Sequence, residues 1–200
     1  MTAKPDTAQR RGYHHGDLPA TLKSAAVDMV GELGSVEFSL AALARRVGVS
    51  SGAPYQHFPD REALLTAIAI DGYAALRAAF ADAVASPDGG LPAVAAAYVQ
   101  FARARPALFA VMCHQSLEGD LSEELSAAMD QTVAAVRSAA AAVAEPADVA
   151  RLALATIGLA QGFAQLATGP GARMLGDGAE DVAVMARRAT AHLARHPADW

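Results

Sequence analysis

The chain has 200 residues, 53% of them hydrophobic but only 6% aromatic, which allows one or two domains around an aliphatic, alanine-rich core. A formal net charge of −5 excludes a protein that coats nucleic acid without regard to sequence. The charge is uneven: residues 1–70 hold seven Lys/Arg and seven Asp/Glu, residues 71–200 nine and fourteen, so the acidity belongs to the second part.

The first sixteen residues, MTAKPDTAQRRGYHHG, are basic with no apolar stretch behind them, so a signal peptide is not expected. Leu18, Leu22, Ala25, Ala26, Met29, Val30 and Leu33 then recur at three- and four-residue steps, the apolar stripe of a helix. Asp17 suits its N-cap, Pro19 its first turn and Gly34 its end. Ser39 caps a second, short helix bearing Leu40, Leu43, Ala44 and Val47, which Gly48 terminates. A third short helix is expected to begin near Ser50 or Ser51, with Pro54 in its first turn, where the missing N–H has no helical partner. Asp60 caps a long fourth helix whose buried side is Leu64, Leu65, Ile68, Tyr73, Leu76, Phe80 and Val84, broken by SPDGGLP at 86–92.

Further helical stretches follow at 91–104, 105–112, 122–144, 147–167 and 179–194, separated by Pro, Gly and Asp. No alternating strand pattern and no internal repeat occurs, so the fold class is all-α. No run of about 18 apolar residues lacks a charge or turn signal, so no membrane span is expected. The single cysteine, Cys113, cannot form an internal disulfide and fits a reducing cytoplasm.

The stretch from Ser39 to Phe58 has the spacing of a helix-turn-helix: a short capped helix, a glycine for the left-handed turn, then a second short segment. SGAPYQHF has little to bury except Phe58 and one side of Tyr55, so its polar tip can face a major groove. An ordinary helical hairpin with solvated polar residues satisfies the same spacing. His14 and His15 have no Cys, Asp or Glu at ligand spacing beyond Asp17, and no metal site is assigned. Cys113 and His114 are adjacent on a helix and point about 100° apart, so they are not read as a nucleophile and base. No catalytic constellation occurs, and no cofactor is expected.

The wider pattern is more specific. LAALARRVGVSSGAPYQHFPDREALLTAIA resembles the DNA-binding domain of the tetracycline-repressor (TetR) family of transcriptional regulators, and GYHHGDLPATLKSAAVDMVGELG resembles one subgroup's arm and first helix. ARARPALFAVM is similar to a later segment of that subgroup. IGLAQGFAQLA departs from it, with Ile157 and Gln161 where the subgroup carries Trp and His.

The resemblance implies about nine helices: a three-helix DNA-binding domain over residues 12–60, with the helix-turn-helix at about 39–58, and a ligand-binding and dimerisation domain over 61–200. It implies a ligand-responsive regulator, a repressor, binding a palindromic operator in double-stranded DNA as a homodimer and released by a small-molecule effector. A constitutive or protein-regulated DNA-binding module is the alternative.

For DNA, the implied contacts are Ser39, Ser50, Ser51, Gly52, Ala53, Tyr55, Gln56, His57 and Arg61, together with Tyr13 and His14 of the arm. Gln56 is positioned as a base reader, since an amide pairs bidentately with adenine, whereas Tyr55, His57 and Arg61 match phosphate contacts. For a ligand, Tyr73, Leu76, Tyr98, Phe101, Phe109, Met112, Gln161 and Gln165 are the candidate cavity residues. A dimer face is expected from Leu152, Leu159, Gly162 and Phe163, joined by Val182, Met185 and Leu193.

Overall fold

The computed structural model describes residues 17–117, 121–169 and 181–196. Among these residues there are eight α-helices, one 3-10 turn and no strand. The first helix, α1, runs Leu18–Leu33: Asp17 accepts a hydrogen bond from the Ala20 amide, and Gly34 closes the helix at φ 64°. In α2, Leu40–Val47, the Ser39 hydroxyl accepts from the Ala42 amide at 3.1 Å, and Gly48 turns left-handed at φ 80°. Asp60 caps α3, Arg61–Ala85, in the same way, accepting from the Ala63 amide at 2.8 Å. A side-chain oxygen satisfies an amide that the first turn leaves without a partner, so each cap fixes where its helix starts.

The expected third helix is not continuous. The chain makes a turn from Ser51 and then a single 3-10 turn, Pro54–Gln56. The Ala53 amide donates to the Ser50 carbonyl, and the His57 and Phe58 amides both donate to the Pro54 carbonyl. Pro54 has no amide to add to this ladder, so a regular helix does not build up around it. The helix expected as fourth is therefore α3.

Beyond it lie α4 (Leu91–Ala104), α5 (Pro106–Leu117), α6 (Glu123–Ala141), α7 (Val149–Thr168) and α8 (Val182–Arg195). Arg103 of α4 pairs with Asp181, the cap of α8, at 2.8 Å, and Arg187 of α8 donates to the Asp88 carbonyl. These contacts hold α8 along α4.

The two larger cores share α3 and α5. The N-terminal core gathers Leu22, Ala26 and Val30 of α1, Leu40 and Leu43 of α2, and Phe58 with Leu64, Leu65 and Ile68 of α3. The second is built on Leu76 and Phe80 of α3, Leu91, Val94 and Phe101 of α4, Leu125 and Val136 of α6, and Leu152 of α7. The fifth helix serves both, giving Val111 to the first core and Met112 to the second. Each fully buried leucine contributes about 1.5–3 kcal/mol over an exposed one. Leu33 and Val84, at the far ends of their stripes in α1 and α3, are exposed instead.

By length and composition alone, α3 and α7 are apolar enough to cross a membrane. Each lays one face into these cores, and α3 exposes Glu62 and Asp71 on the other.

At Gly72 of α3 the side chains of α5 come close. A β-carbon placed there would lie 2.6 Å from the Met112 sulfur and 3.2 Å from a Leu108 methyl. A larger side chain must displace the Met112 side chain or the helix that carries it. We expect Gly72→Val to lower stability by about 1–3 kcal/mol, seen as a lower urea midpoint by far-UV circular dichroism. An unchanged midpoint would mean that the two helices are not held in this contact.

Candidate nucleic-acid interface and an internal cavity

The interface is built by anchoring a polar tip at both sides. Pro54 and Phe58 are buried, while Tyr55, Gln56 and His57 between them are exposed, Tyr55 by 54%. Ser50, Ser51 and Gly52 lie exposed on the connecting turn, and Ala53 is half-buried. The turn is held from below, since the Gly48 and Val49 amides both donate to the Ala44 carbonyl. Ser39, Tyr55 and Arg61 line one shallow depression together with Asp60 and Glu62. Tyr13 and His14, like the rest of the arm, lie outside the described residues.

Arg61 is not the unengaged cation that the sequence suggests. Its guanidinium bonds Glu37, just ahead of α2, and grips the Glu62 carboxylate through two nitrogens at 3.1 and 2.9 Å. The Glu37 hydrogen bond, then the Glu62 one, raises its already high pKa further. A phosphate must therefore compete with two carboxylates for it. Arg46 is likewise held, bidentate, by Glu32 at 2.7 and 2.5 Å. Arg45, exposed beside it, makes no ion pair among the described residues.

A cavity of about 330 Å³ lies among α3, α4, α6 and α7. It brings together five of the eight candidate ligand residues: Tyr73, Leu76, Tyr98, Gln161 and Gln165. Phe101, Phe109 and Met112 do not line it. Phe101 and Met112 fill the core, Met112 against Gly72, and Phe109 supports Tyr98 from behind, edge-on at 6.0 Å. The remaining walls are Phe80, Ile157 and four residues of α6: Met129, Thr132, Val133 and Val136. Those four recur at three- and four-residue steps, a stripe visible in the sequence but not distinguishable there from packed core. Val133 and Gln165 are exposed, so the cavity reaches the surface at their level.

A neutral hydrogen-bond chain crosses one wall. The Tyr98 hydroxyl donates to the Gln161 carbonyl oxygen, and the Gln161 amide donates to the Cys113 sulfur at 3.4 Å. Burial pushes the Tyr98 phenol well above its ordinary pKa, and raises the Cys113 thiol against the opposing pull of Gln161. Both groups therefore stay protonated at neutral pH. The Nε2 of His114 lies 3.8 Å from a Glu62 oxygen. No cluster of possible metal ligands occurs among the described residues.

Two residues of the expected dimer face are not available to it: Leu152 and Val182 are buried inside the subunit, Leu152 completely, whereas Leu159, Phe163, Met185 and Leu193 are half-buried and Gly162 is exposed. What α7 leaves open is the strip Leu154, Gly158, Gly162 and Leu166, with Leu154 71% exposed and nothing within 4 Å of a β-carbon on either glycine.

Residues 22–68 match the family model for bacterial regulatory proteins of the tetR family, and residues 91–193 match the tetracyclin repressor-like C-terminal domain. Among solved structures, a protein of unknown function from Rhodococcus sp. RHA1 is 35% identical, with 93% of this chain and 98% of that one covered and a TM-score of 0.75. The TetR family transcriptional regulator PfmR from Thermus thermophilus is 22% identical over 87% of this chain and 97% of its own, with a TM-score of 0.62. The multidrug binding protein EbrR, solved with imidazole, is 20% identical over 92% and 96%, with a TM-score of 0.59. The last two likenesses show the fold. No curated protein matches the chain.

The thiol makes a direct check of the cavity wall. A protonated, half-buried Cys113 should react with iodoacetamide about tenfold more slowly at pH 8 than in the urea-unfolded chain, since the thiolate is the nucleophile. Equal rates, followed by mass spectrometry, would place the sulfur in open solvent.

Proposed function

The chain belongs to the TetR family and is a transcriptional regulator with an N-terminal DNA-binding domain, and from that premise we propose that it is a ligand-responsive repressor. In this reading it binds a palindromic operator as a homodimer in the cytoplasm and leaves it when a small molecule occupies the cavity. The observation that carries the DNA half is the exposed Tyr55–Gln56–His57 tip between buried Pro54 and Phe58. Such a tip can enter a groove without unpacking anything. Gln56 reads base edges there; Tyr55, His57, the Ser50–Ala53 turn, Ser39 and the arm with Tyr13 and His14 fix the register on phosphates. Arg45 adds a further phosphate contact, and Arg61 does so by exchanging Glu37 or Glu62 for a phosphate.

The dimer follows from what one copy can read. A single helix-turn-helix spans too few base pairs for a unique site, so two copies on a two-fold axis read two half-sites. The open glycine strip of α7, flanked by Leu154 and Leu166, is suited to close helix contact with a second copy, and Val184 of α8 adds exposed apolar surface.

Coupling runs through α3. Tyr73, Leu76 and Phe80 line the cavity, while Arg61 at the other end of the same helix is tied to Glu37 ahead of α2. A ligand that prefers one placement of α3 shifts the population of half-site spacings, and its leverage is limited to its differential affinity for the two states. Members of this family are DNA-binding transcription factors, not enzymes.

A gel shift with DNA from the chain's own upstream region tests the reading, and release of that DNA by a compound found in a thermal-shift screen separates a sensor from a constitutive binder. Affinity should fall steeply with salt, because neutralising phosphates releases counterions. His57→Ala should weaken binding to all sequences alike, whereas Gln56→Ala should flatten the preference at one or two positions by about 1–3 kcal/mol. Gly162→Glu should yield a monomer by light scattering and lose operator binding with it. A monomer that binds the palindrome tightly would end the dimeric reading.

A further inference from the structure

The chemistry of the cavity wall narrows what can occupy it. No described lining residue carries a charge. Arg77 follows Leu76 on α3, but its guanidinium donates to the Ala128 carbonyl at 3.2 Å and does not line the space. The lining groups that can hydrogen-bond are all neutral: hydroxyls of Tyr73, Tyr98 and Thr132 and amides of Gln161 and Gln165. Of these, Thr132 donates to the Ala128 carbonyl at 2.8 Å. The rest of the wall is aliphatic, aromatic or thioether.

We propose that the cavity takes an uncharged, largely apolar molecule whose single hydrogen-bonding group, a carbonyl or hydroxyl, inserts at the Tyr98–Gln161 pair. This rests on the reading of the cavity as the effector site and specifies the class of effector. A carbonyl there accepts from the Tyr98 hydroxyl or the Gln161 amide, and a ligand hydroxyl donates to the Gln161 oxygen. A hydroxyl keeps both partners paired, since it also accepts from Tyr98, whereas a carbonyl takes over the Tyr98 proton and releases the oxygen of the half-buried Gln161. Tyr98 cannot ionise to receive a cation, because burial holds its phenol protonated. Neither a carboxylate nor an ammonium finds an opposite charge on the wall, so either would surrender its hydration without a partner. The volume sets the size. At about 30 Å³ for each heavy atom, taking liquid water as the guide, 330 Å³ holds on the order of ten.

Insertion also has a place to act. The pair joins α4 to α7, and Gln161 also reaches Cys113 of α5, so a ligand group between Tyr98 and Gln161 interrupts the α4–α7 link and bears on the bond to α5. Phe80 of α3 stacks on Tyr98 at 6.2 Å, which extends the disturbance to a helix shared by both cores.

Three probes with the same phenyl and chain separate the alternatives: 4-phenylbutan-2-one, 4-phenylbutanoate and 4-phenylbutylammonium, titrated calorimetrically into the full chain at pH 7.5. The ketone is expected to bind saturably, with each ion weaker by about tenfold or more. Gln161→Leu, checked for folding by circular dichroism, should reduce ketone affinity severalfold. Val133→Trp, at the exposed mouth, should block the ketone whatever groups hold it inside. An ion that binds as well as the ketone, and is blocked by Val133→Trp, overturns the inference and leaves the cavity as an effector site for a charged molecule. Unchanged ketone affinity in Gln161→Leu overturns the assignment of the polar group. Absence of binding by all three probes at millimolar concentration, or ketone binding indifferent to Val133→Trp, removes the effector-site reading and the inference together.

Discussion

The approach of α5 to α3 at Gly72 is the contact on which the rest of the molecule depends. With no side chain on Gly72, Met112 and Leu108 can lie directly on the backbone of α3. That closeness lets one turn of α5 place Val111 in the N-terminal core and Met112 in the second. The interface tip inherits its position from the first core through Phe58, and the cavity inherits a wall from the second through Leu76 and Phe80. Packed interiors transmit displacements because they contain few voids to absorb them. The cavity lies against Tyr73, Leu76 and Phe80 of the same helix, so movement of α3 has somewhere to go.

Electrostatics divides the two ends of the molecule. Near the interface two arginines are held in ion pairs with exposed carboxylates, Arg61 with Glu37 and Glu62 and Arg46 with Glu32. Pairs of this kind are individually weak in water, so they orient side chains without committing them, and a phosphate can replace a carboxylate at small cost. In the cavity the polar groups are neutral, and the inner ones, Tyr98 and Thr132, are largely screened from water, where a hydrogen bond is stronger and an unpaired ion far costlier.

Much of this was legible in the chain because caps and stripes are local signals. Asp17, Ser39 and Asp60 mark helix starts, and Gly34 and Gly48 mark ends, by chemistry that acts within three or four residues. The third helix failed for an equally local reason, since Pro54 sits where a short helix has no amide to spare. The cavity was half legible. Tyr73, Leu76, Tyr98, Gln161 and Gln165 meet there, but Met112 and Phe109 carry the same composition and fill core. Nothing in a stripe of apolar residues records which neighbour will stand opposite, and α6 supplied four walls that composition could not distinguish from packing. The carboxylates on Arg61 were illegible for the same reason: Glu37 lies 24 residues away along the chain. Leu152 misled because periodicity locates an apolar face without saying whether a partner subunit or the subunit's own core will cover it.

The sharing of α3 and α5 also bears on how such chains can be rearranged over evolutionary time. Cutting after residue 60 would separate the helix-turn-helix from Leu64, Leu65, Ile68 and Val111, four of the ten buried residues in its core. The DNA-reading element is therefore not a portable cassette that recombination can move at its apparent border. A new specificity has to arise by substitution on the exposed tip, and a new cavity by substitution on α4, α6 and α7, each within an intact inherited chain.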